Sequence, residues 1–299
     1  MNFLRRILPP KIKDFLRPIL NGLKHVTSVT ARLVLSLFRV LLGAKLFLAI
    51  FQYITKYSDL TFSINNIVFD GSEARPLQRA ETILTKEPDT IHWISEYVGE
   101  DEVFYYIGAN IGVFSLFAAK NKTCRVLAFE PMCTNYDLLN RNIYLNKLSD
   151  KIQAFNLAFD DQTRFSTLHL SAFLAGKSGH TFAPEKNVVS AFEQGMFGMT
   201  IDTFVFDYNQ PFPNHIKIDV DGNEPRIISG MKRTLADRRL KSIAVEVLPD
   251  KRPEDSQTID TIEKAGFELL RDEAYVNPHA AIFKTARNYF FARKESENA

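Results

Sequence analysis

From Ile91 onward the chain alternates between short apolar runs of strand length and stretches with helical spacing. Val103–Ile107, read as Val-Phe-Tyr-Tyr-Ile, is an apolar, aromatic-rich strand; Gly108 and Gly112 bracket a tight turn; and Val113–Lys120 reads as a short apolar helix. Arg125–Phe129 is a second strand, Asn135–Asn146 a helix after Pro131, and Lys151–Phe155 a third strand. Regularity then lapses between Phe159 and Pro213. Phe165–Leu170 alternates as a strand, Gly176-Lys177-Ser178-Gly179-His180 is a polar loop, and Val188–Phe206 holds another possible strand pair. An insertion of this size between core strands is where substrate is expected to sit.

The alternation resumes with strand His215–Asp219, helix Pro225–Arg238, strand Ser242–Val247 and a helix Thr258–Ala265 stopped by Gly266. Phe267–Leu270, Ala281–Lys284 and Tyr289–Ala292 supply the last antiparallel strands. Upstream, Thr61–Gly71 reads as an edge strand ending at an Asp-Gly turn and Arg75–Thr85 as a helix. After the break at Glu87-Pro88-Asp89, a helix capped by Asp89 or Thr90 carries Ile91, Trp93, Ile94 and Val98, with Trp93 as a core anchor. The predicted fold is a three-layer α/β domain around a mostly parallel sheet.

Strand, glycine turn and helix, followed by a second strand ending on Glu130, is the layout of a nucleotide-binding βαβ unit. Glu130 lies 22 residues after Gly108, the spacing at which an acidic residue takes ribose hydroxyls. The third glycine of the dinucleotide pattern is missing, which argues against a pyrophosphate. It leaves room for a nucleoside without phosphates, of which S-adenosylmethionine is the common one. The alternative for this stretch alone is an ordinary strand-turn-helix corner with a surface glutamate.

Ile-Gly-Ala-Asn-Ile-Gly (Ile107–Gly112), Phe-Glu-Pro (Phe129–Pro131) and Lys-Ile-Asp-Val-Asp-Gly-Asn-Glu (Lys217–Glu224) together resemble the signature segments of the FkbM family of S-adenosylmethionine-dependent methyltransferases. The resemblance runs from about Glu87 to about Val247. It implies a Rossmann-like seven-stranded methyltransferase fold with S-adenosylmethionine held by Gly108, Asn110, Gly112, Glu130 and Asp219. It places Asn156 where such enzymes hold adenine, although an Asn at a strand end is also a common turn former. Tyr106 stands where the family usually has an acidic residue that helps neutralise the cationic end of the cofactor, which puts cofactor affinity in question.

Asp219, Asp221 and Glu224 concentrate carboxylates just past a strand, at the edge where doubly wound sheets bind ligands. Asp219 and Asp221 share a parity, so that both point to one side if the strand continues. The expected reaction is methyl transfer to a hydroxyl oxygen, with Asp219, Asp221 and His180, in that order, as candidates to orient or deprotonate the acceptor. The same carboxylates could hold a divalent cation, but there is no evenly spaced ligand loop and no metal is expected. Glu224 equally suits a helix N-terminus.

Charge refines the picture of partners. The net charge is +2, but residues 1–60 carry ten Lys/Arg against two Asp/Glu (+8), leaving 27 basic and 33 acidic residues (−6) in the rest. A negative body disfavours nucleic acid, so a small molecule or glycan is the expected acceptor and a nucleic-acid methyltransferase the weaker alternative. The other alternative is a methyltransferase-fold scaffold that has lost its cofactor, for which Tyr106 is the evidence. Residues 1–57 read as a basic, apolar helical extension, residues 58–100 as a lead-in and residues 101–295 as the methyltransferase domain. Within the extension, Leu33–Ile54 is long enough to span a bilayer but contains Arg39 and Lys45, so contact with an anionic membrane surface is preferred over a span. The two cysteines, Cys124 and Cys133, flank one strand and are not expected to pair. The resulting location is cytoplasmic, with peripheral contact at the inner membrane face.

Overall fold

The computed structural model describes residues 36–37, 61–72, 80, 87–183, 189–247, 253–274 and 287–294. The chain divides into two compact units at Thr61/Phe62. The expectations for residues 1–57, for the helix 75–85 and for the strand 281–284 lie outside the described residues.

The larger unit opens with a hairpin, Thr61–Ile64 (β1) and Ile67–Asp70 (β2). Its turn is Asn65-Asn66, both at positive φ (47° and 64°), the backbone of a tight hairpin turn that asparagine tolerates. One expected strand therefore becomes two. Helix Pro88–Tyr97 (α1) starts with Pro88 in its first turn and Glu87 at its cap, two or three residues ahead of the predicted cap. Strands Val103–Ile107 (β3), Arg125–Phe129 (β4) and Ile152–Phe155 (β5) alternate with helices Val113–Asn121 (α2) and Cys133–Leu145 (α3).

After β5 come Ala158–Phe159 (β6), Arg164–Leu170 (β7), Thr181–Ala183 (β8) and Phe192–Met199 (β9), then a π-turn at Thr203–Asp207. Strand His215–Ile218 (β10), helices Glu224–Ser229 (α4) and Lys232–Ala236 (α5), strand Ser242–Val247 (β11), helix Pro253–Lys264 (α6), and strands Phe267–Ala274 (β12) and Arg287–Arg293 (β13) complete the order. The single helix predicted for Pro225–Arg238 is broken at Gly230, where a Cβ would lie 2.3 Å from the carbonyl oxygen of Asp160. That close approach packs the insertion against the helix.

The main sheet has seven strands in the order β12-β13-β11-β10-β3-β4-β5. β5, β4, β3, β10 and β11 are mutually parallel, and β13 runs antiparallel to both β11 and β12. Going outward from β3, the chain fills one side through β4 and β5 and the other through β10 and β11. The crevice between the ends of β3 and β10 is therefore the topological switch point. Both faces of the sheet are covered, which is why the strands read as unbroken apolar runs. Phe104 and Tyr106 face a layer with Trp93, Phe114 and Leu139; Tyr105 and Ile107 face one with Phe129, Phe204 and Ile228. Trp93 is 2% exposed and meets Phe104 edge-on at 5.9 Å. In the second layer Phe204 of the π-turn meets Phe129 at 5.2 Å and Phe155 at 5.3 Å, both edge-on, a favoured aromatic geometry.

The hairpin docks on α3 through asparagines one helical turn apart. Asn142 Oδ1 accepts the Asp70 N–H at 2.8 Å and Asn146 Oδ1 the Val68 N–H at 2.9 Å, which satisfies the edge of β2. At the N-terminal edge of the main sheet, His215 joins Ser242 Oγ at 2.7 Å and Glu102 Oε2 at 2.6 Å. Burial pushes the Glu102 carboxyl up, but hydrogen bonds from Lys241, His215 and the Gly99 N–H outweigh it and hold the pKa at about 2. Burial pushes His215 down against the pull of Glu102.

The irregular region forms a second sheet of four strands, β6-β9-β7-β8. It holds one long strand, β9, where a pair was predicted, because Thr200 starts the π-turn: its Oγ1 accepts the Thr203 N–H at 2.9 Å. Asp160, fully buried, ties this sheet to α4 through Arg226 and Arg164, each with a nitrogen 2.7 Å away. Cys124 and Cys133 are both free.

Candidate functional site

The cleft at the switch point is shaped by three turns, each leaving a strand of the parallel sheet at its C-terminal end. The turn after β3 comes first. The Gly108 and Ala109 N–H groups both donate to the Phe129 carbonyl at 2.9 Å, locking the turn to β4. Gly108 has φ +83°, and a Cβ there would stand 1.9 Å from the Asp219 carbonyl oxygen. Gly112, at φ +87°, caps α2, and its Cβ position is taken by Leu139 Cδ1 at 2.4 Å. Space at both glycines is thus claimed by neighbouring protein atoms rather than left for a ligand.

The turn after β4 carries Glu130, buried at 4% exposure. Its Oε2 accepts the Asn110 N–H at 2.7 Å, and its Oε1 accepts the Met132 N–H at 2.9 Å and Asn135 Nδ2 at 3.4 Å. Glu130 thus braces the turn and lines the cleft. Asn156 donates its amide to the carbonyls of Glu130 (2.8 Å) and Pro131 (2.9 Å).

The turn after β10 brings the acids. β10 ends at Ile218, so Asp219 and Asp221 reach the cleft through a turn and not through strand parity. Asp221 sits at φ 60° and Gly222 at φ 126°, sparsely populated backbone of the kind found at functional sites. Glu224, 1% exposed, is directed back at this turn and accepts the N–H groups of Gly222 (3.1 Å) and Val220 (3.3 Å).

The insertion closes the fourth side. Gly176 N–H donates to Asn135 Oδ1 at 2.7 Å, the Lys177 carbonyl accepts from Asn110 Nδ2 and Asn135 Nδ2 at 3.1 Å each, and the Gly179 N–H donates to Asp221 Oδ2 at 2.6 Å. His180 accepts the Ser171 N–H on Nδ1 at 3.2 Å. The polar loop is therefore sewn to the glycine turn, to α3 and to the acid turn.

Gly108, Asn110, Glu130, His180, Asp219 and Asp221 all line this one cleft. Tyr106, Gly112 and Asn156 do not line it. Tyr106 lies in the core at 3% exposure, stacked on Phe104 and edge-on to Phe114 at 5.7 Å. Sequence reasoning missed Asn135 and Lys217. Asn135 offered one signal: it is a polar residue five places after Glu130, on the face of α3 that turns inward. Among the described residues, no group of three or more His, Cys, Asp or Glu is disposed to hold a metal ion.

The donor set suits an adenosyl group. Glu130 offers an anionic acceptor for ribose hydroxyls, Leu157 and Phe159 line the cleft with apolar surface for a ring, and Asp219 offers negative charge for a sulfonium or ammonium. A parallel sheet in this strand order, with β13 reversed beside β11 and an acid-lined cleft at the switch point, defines a Rossmann-like methyltransferase. The chain belongs to the FkbM methyltransferase family, whose domain model matches residues 107–269. Methyl transfer is the activity that membership carries, and the expectation of S-adenosylmethionine as the cofactor stands with it.

Over 204 residues the chain is 26% identical to AglP, a hexuronic acid methyltransferase of Haloferax volcanii, with 64% of this chain and 77% of that one covered. Over 171 residues it is 29% identical to methyltransferase sdnD of Sordaria araneosa, covering 55% of this chain and 57% of that one. The match thus spans a little over half the length of that second relative. Among solved structures, the precorrin-6y C5,15-methyltransferase of Geobacter metallireducens is 16% identical with a TM-score of 0.42, covering 72% of this chain and 92% of that one. A likeness that loose carries no argument about activity.

Proposed function

We propose that the protein moves the methyl group of S-adenosylmethionine to a hydroxyl oxygen of a sugar, a glycan or a natural product. The observation that carries this reading is the convergence of Asp219 and Asp221 on the cleft that Gly108 and Glu130 also line. Bound there, the cofactor supplies a methyl carbon already activated by the positive sulfur. In such a transfer the acceptor oxygen would take the methyl group from sulfur, and a carboxylate of Asp219 or Asp221 would receive the hydroxyl proton. The chain's own contribution is alignment and a place for that proton. Asp221 is oriented by the Gly179 N–H on Oδ2, and Asp219 lines the same cleft.

AglP is named for a hexuronic acid, and that name supports a sugar acceptor here. The basic, apolar stretch of residues 1–57 supports an acceptor presented at a membrane surface. The test is calorimetric titration of the full chain with S-adenosylmethionine, followed by product mass analysis with uronic-acid and neutral-sugar acceptors. Binding with a gain of one methyl group on a sugar oxygen is the expected result. A folded protein that takes up neither the donor nor its demethylated product at millimolar concentration would end this reading.

A further inference from the structure

One buried cation beside the cleft has no part in the roles above. Lys217 is the last but one residue of β10 and is 0% exposed. Its Nζ lies 3.2 Å from Asp219 Oδ2 and 3.4 Å from Glu87 Oε2. It also lies 5.2 Å from the Phe114 ring centroid and 5.7 Å from that of Tyr106. An ammonium taken out of water is expensive unless its partners are well placed, and here carboxylates and aromatic faces surround it. Lys217 pairs in register with Tyr106 on β3 and with Ala244 on β11, so Glu246, two residues further along β11, lies on the same face.

We propose that Lys217 is the positioning residue of this site: its ammonium, gripped between Glu87 and Asp219, decides which carboxylate at the sheet edge carries charge and aims Asp219 at the cleft. The proposal rests on the reading of Asp219 as part of the methyl-transfer machinery. The groups facing Asp219 are Lys217 from β10, Glu246 from β11 and Glu87 ahead of α1, with Asp221 on its own turn. Burial, then the carboxylates of Asp219 and Glu87, hold the Glu246 carboxyl well above its usual range. Burial works to discharge Lys217, yet Asp219, Glu87 and Glu246 outweigh it and push its pKa up. Glu246 is therefore the carboxyl of the cluster that burial and its neighbours press toward the protonated form.

The same geometry accounts for Tyr106. A carboxylate at position 106 would meet Lys217 across the strand pair, and here the tyrosine ring packs under that cation instead. Glu87 lies outside the segment 107–269 that matches the family model, so Lys217 draws one of its two carboxylate partners from the lead-in.

Selective ¹³C labelling of aspartate carboxyls in the full chain, without cofactor, tests this directly, the Asp219 resonance being identified by its loss in D219N. In the wild type, Asp219 is expected to show no protonation step between pH 8 and about 4.5. In K217M/E87Q, which removes one charge of each sign, its midpoint is expected to rise by about one unit. The acid limb of kcat is expected to move by the same amount. A wild-type protonation step inside that window, or equal midpoints in the two proteins, overturns the proposal. If K217M/E87Q does not fold, E87Q alone decides, its Asp219 midpoint expected to fall because Lys217 then has one carboxylate partner fewer, and an unchanged midpoint overturning the proposal. Midpoints that shift as expected in a protein that methylates no acceptor support Lys217 as the holder of Asp219 and sink the methyl-transfer reading instead.

Discussion

A methyl group added at Gly108 would collide with the Asp219 carbonyl at 1.9 Å, on a backbone at φ +83°, so an alanine there must both strain the turn and push β3 and β10 apart. Gly108→Ala is expected to destabilise the fold by at least about 2 kcal/mol and to abolish donor binding. Gly195→Ala is the control. Nothing lies within 4 Å of its added Cβ, and its melting temperature should match the wild type. His180 invites a subtler test. Its Nδ1 accepts the Ser171 N–H, so the neutral ring carries its proton on Nε2. Such a ring has no bare nitrogen to offer an acceptor hydroxyl. His180→Gln, whose amide N–H reaches the place of Nε2–H, should therefore keep most of the turnover and an unshifted acid limb. A loss of about 10²–10⁴-fold, the usual contribution of a general base, would restore the histidine to that role.

Among the elements, the N-terminal edge of the sheet carries a pH dependence of its own. The His215 pKa is lowered by burial despite Glu102, so the folded state binds fewer protons than the unfolded one. Its stabilising contribution is complete above pH about 6.5, the unfolded value, and is lost as pH falls below it. Glu102, held at about 2, adds a second loss that begins near the unfolded carboxylate value, about pH 4.3. Thermal unfolding between pH 8 and 5 should show a fall that His215→Gln removes. The parallel strands and the switch point were legible in the sequence because both faces of each strand are buried and the apolar runs are continuous. Asp219 and Glu130 were legible because strand ends at that edge carry ligands in any doubly wound sheet. Lys217 was not: a lysine two residues before an aspartate reads as solvated, and only the pairing of β10 beside β3 and the arrival of Glu87 bury it. The strand end at Asp70 was legible, but the turn at Asn65-Asn66 was not, because two asparagines inside an alternating run do not by themselves break it; docking on Asn142 and Asn146 fixes the hairpin.

For the whole molecule the uneven division of charge is the property with consequences. Residues 1–60 carry +8 and the remainder −6, so the body by itself is repelled by anionic lipid while its leading segment is attracted. Each Lys or Arg near such a surface contributes about 1 kcal/mol, less as salt screens it, which makes any binding through this segment salt-dependent. Among the described residues no helix is long and apolar enough to cross a membrane. Flotation with vesicles containing anionic lipid should carry the full chain upward at low salt and release much of it at high salt. A chain starting at Thr61 should stay with the soluble fraction. That shorter chain keeps Glu87 and the whole unit from Phe62 onward, so it should still bind the methyl donor with unchanged affinity, and any loss of turnover on a lipid-linked acceptor would then reflect delivery and not chemistry. Equal partitioning of the two chains would remove the membrane from the account and leave the positive segment to another partner.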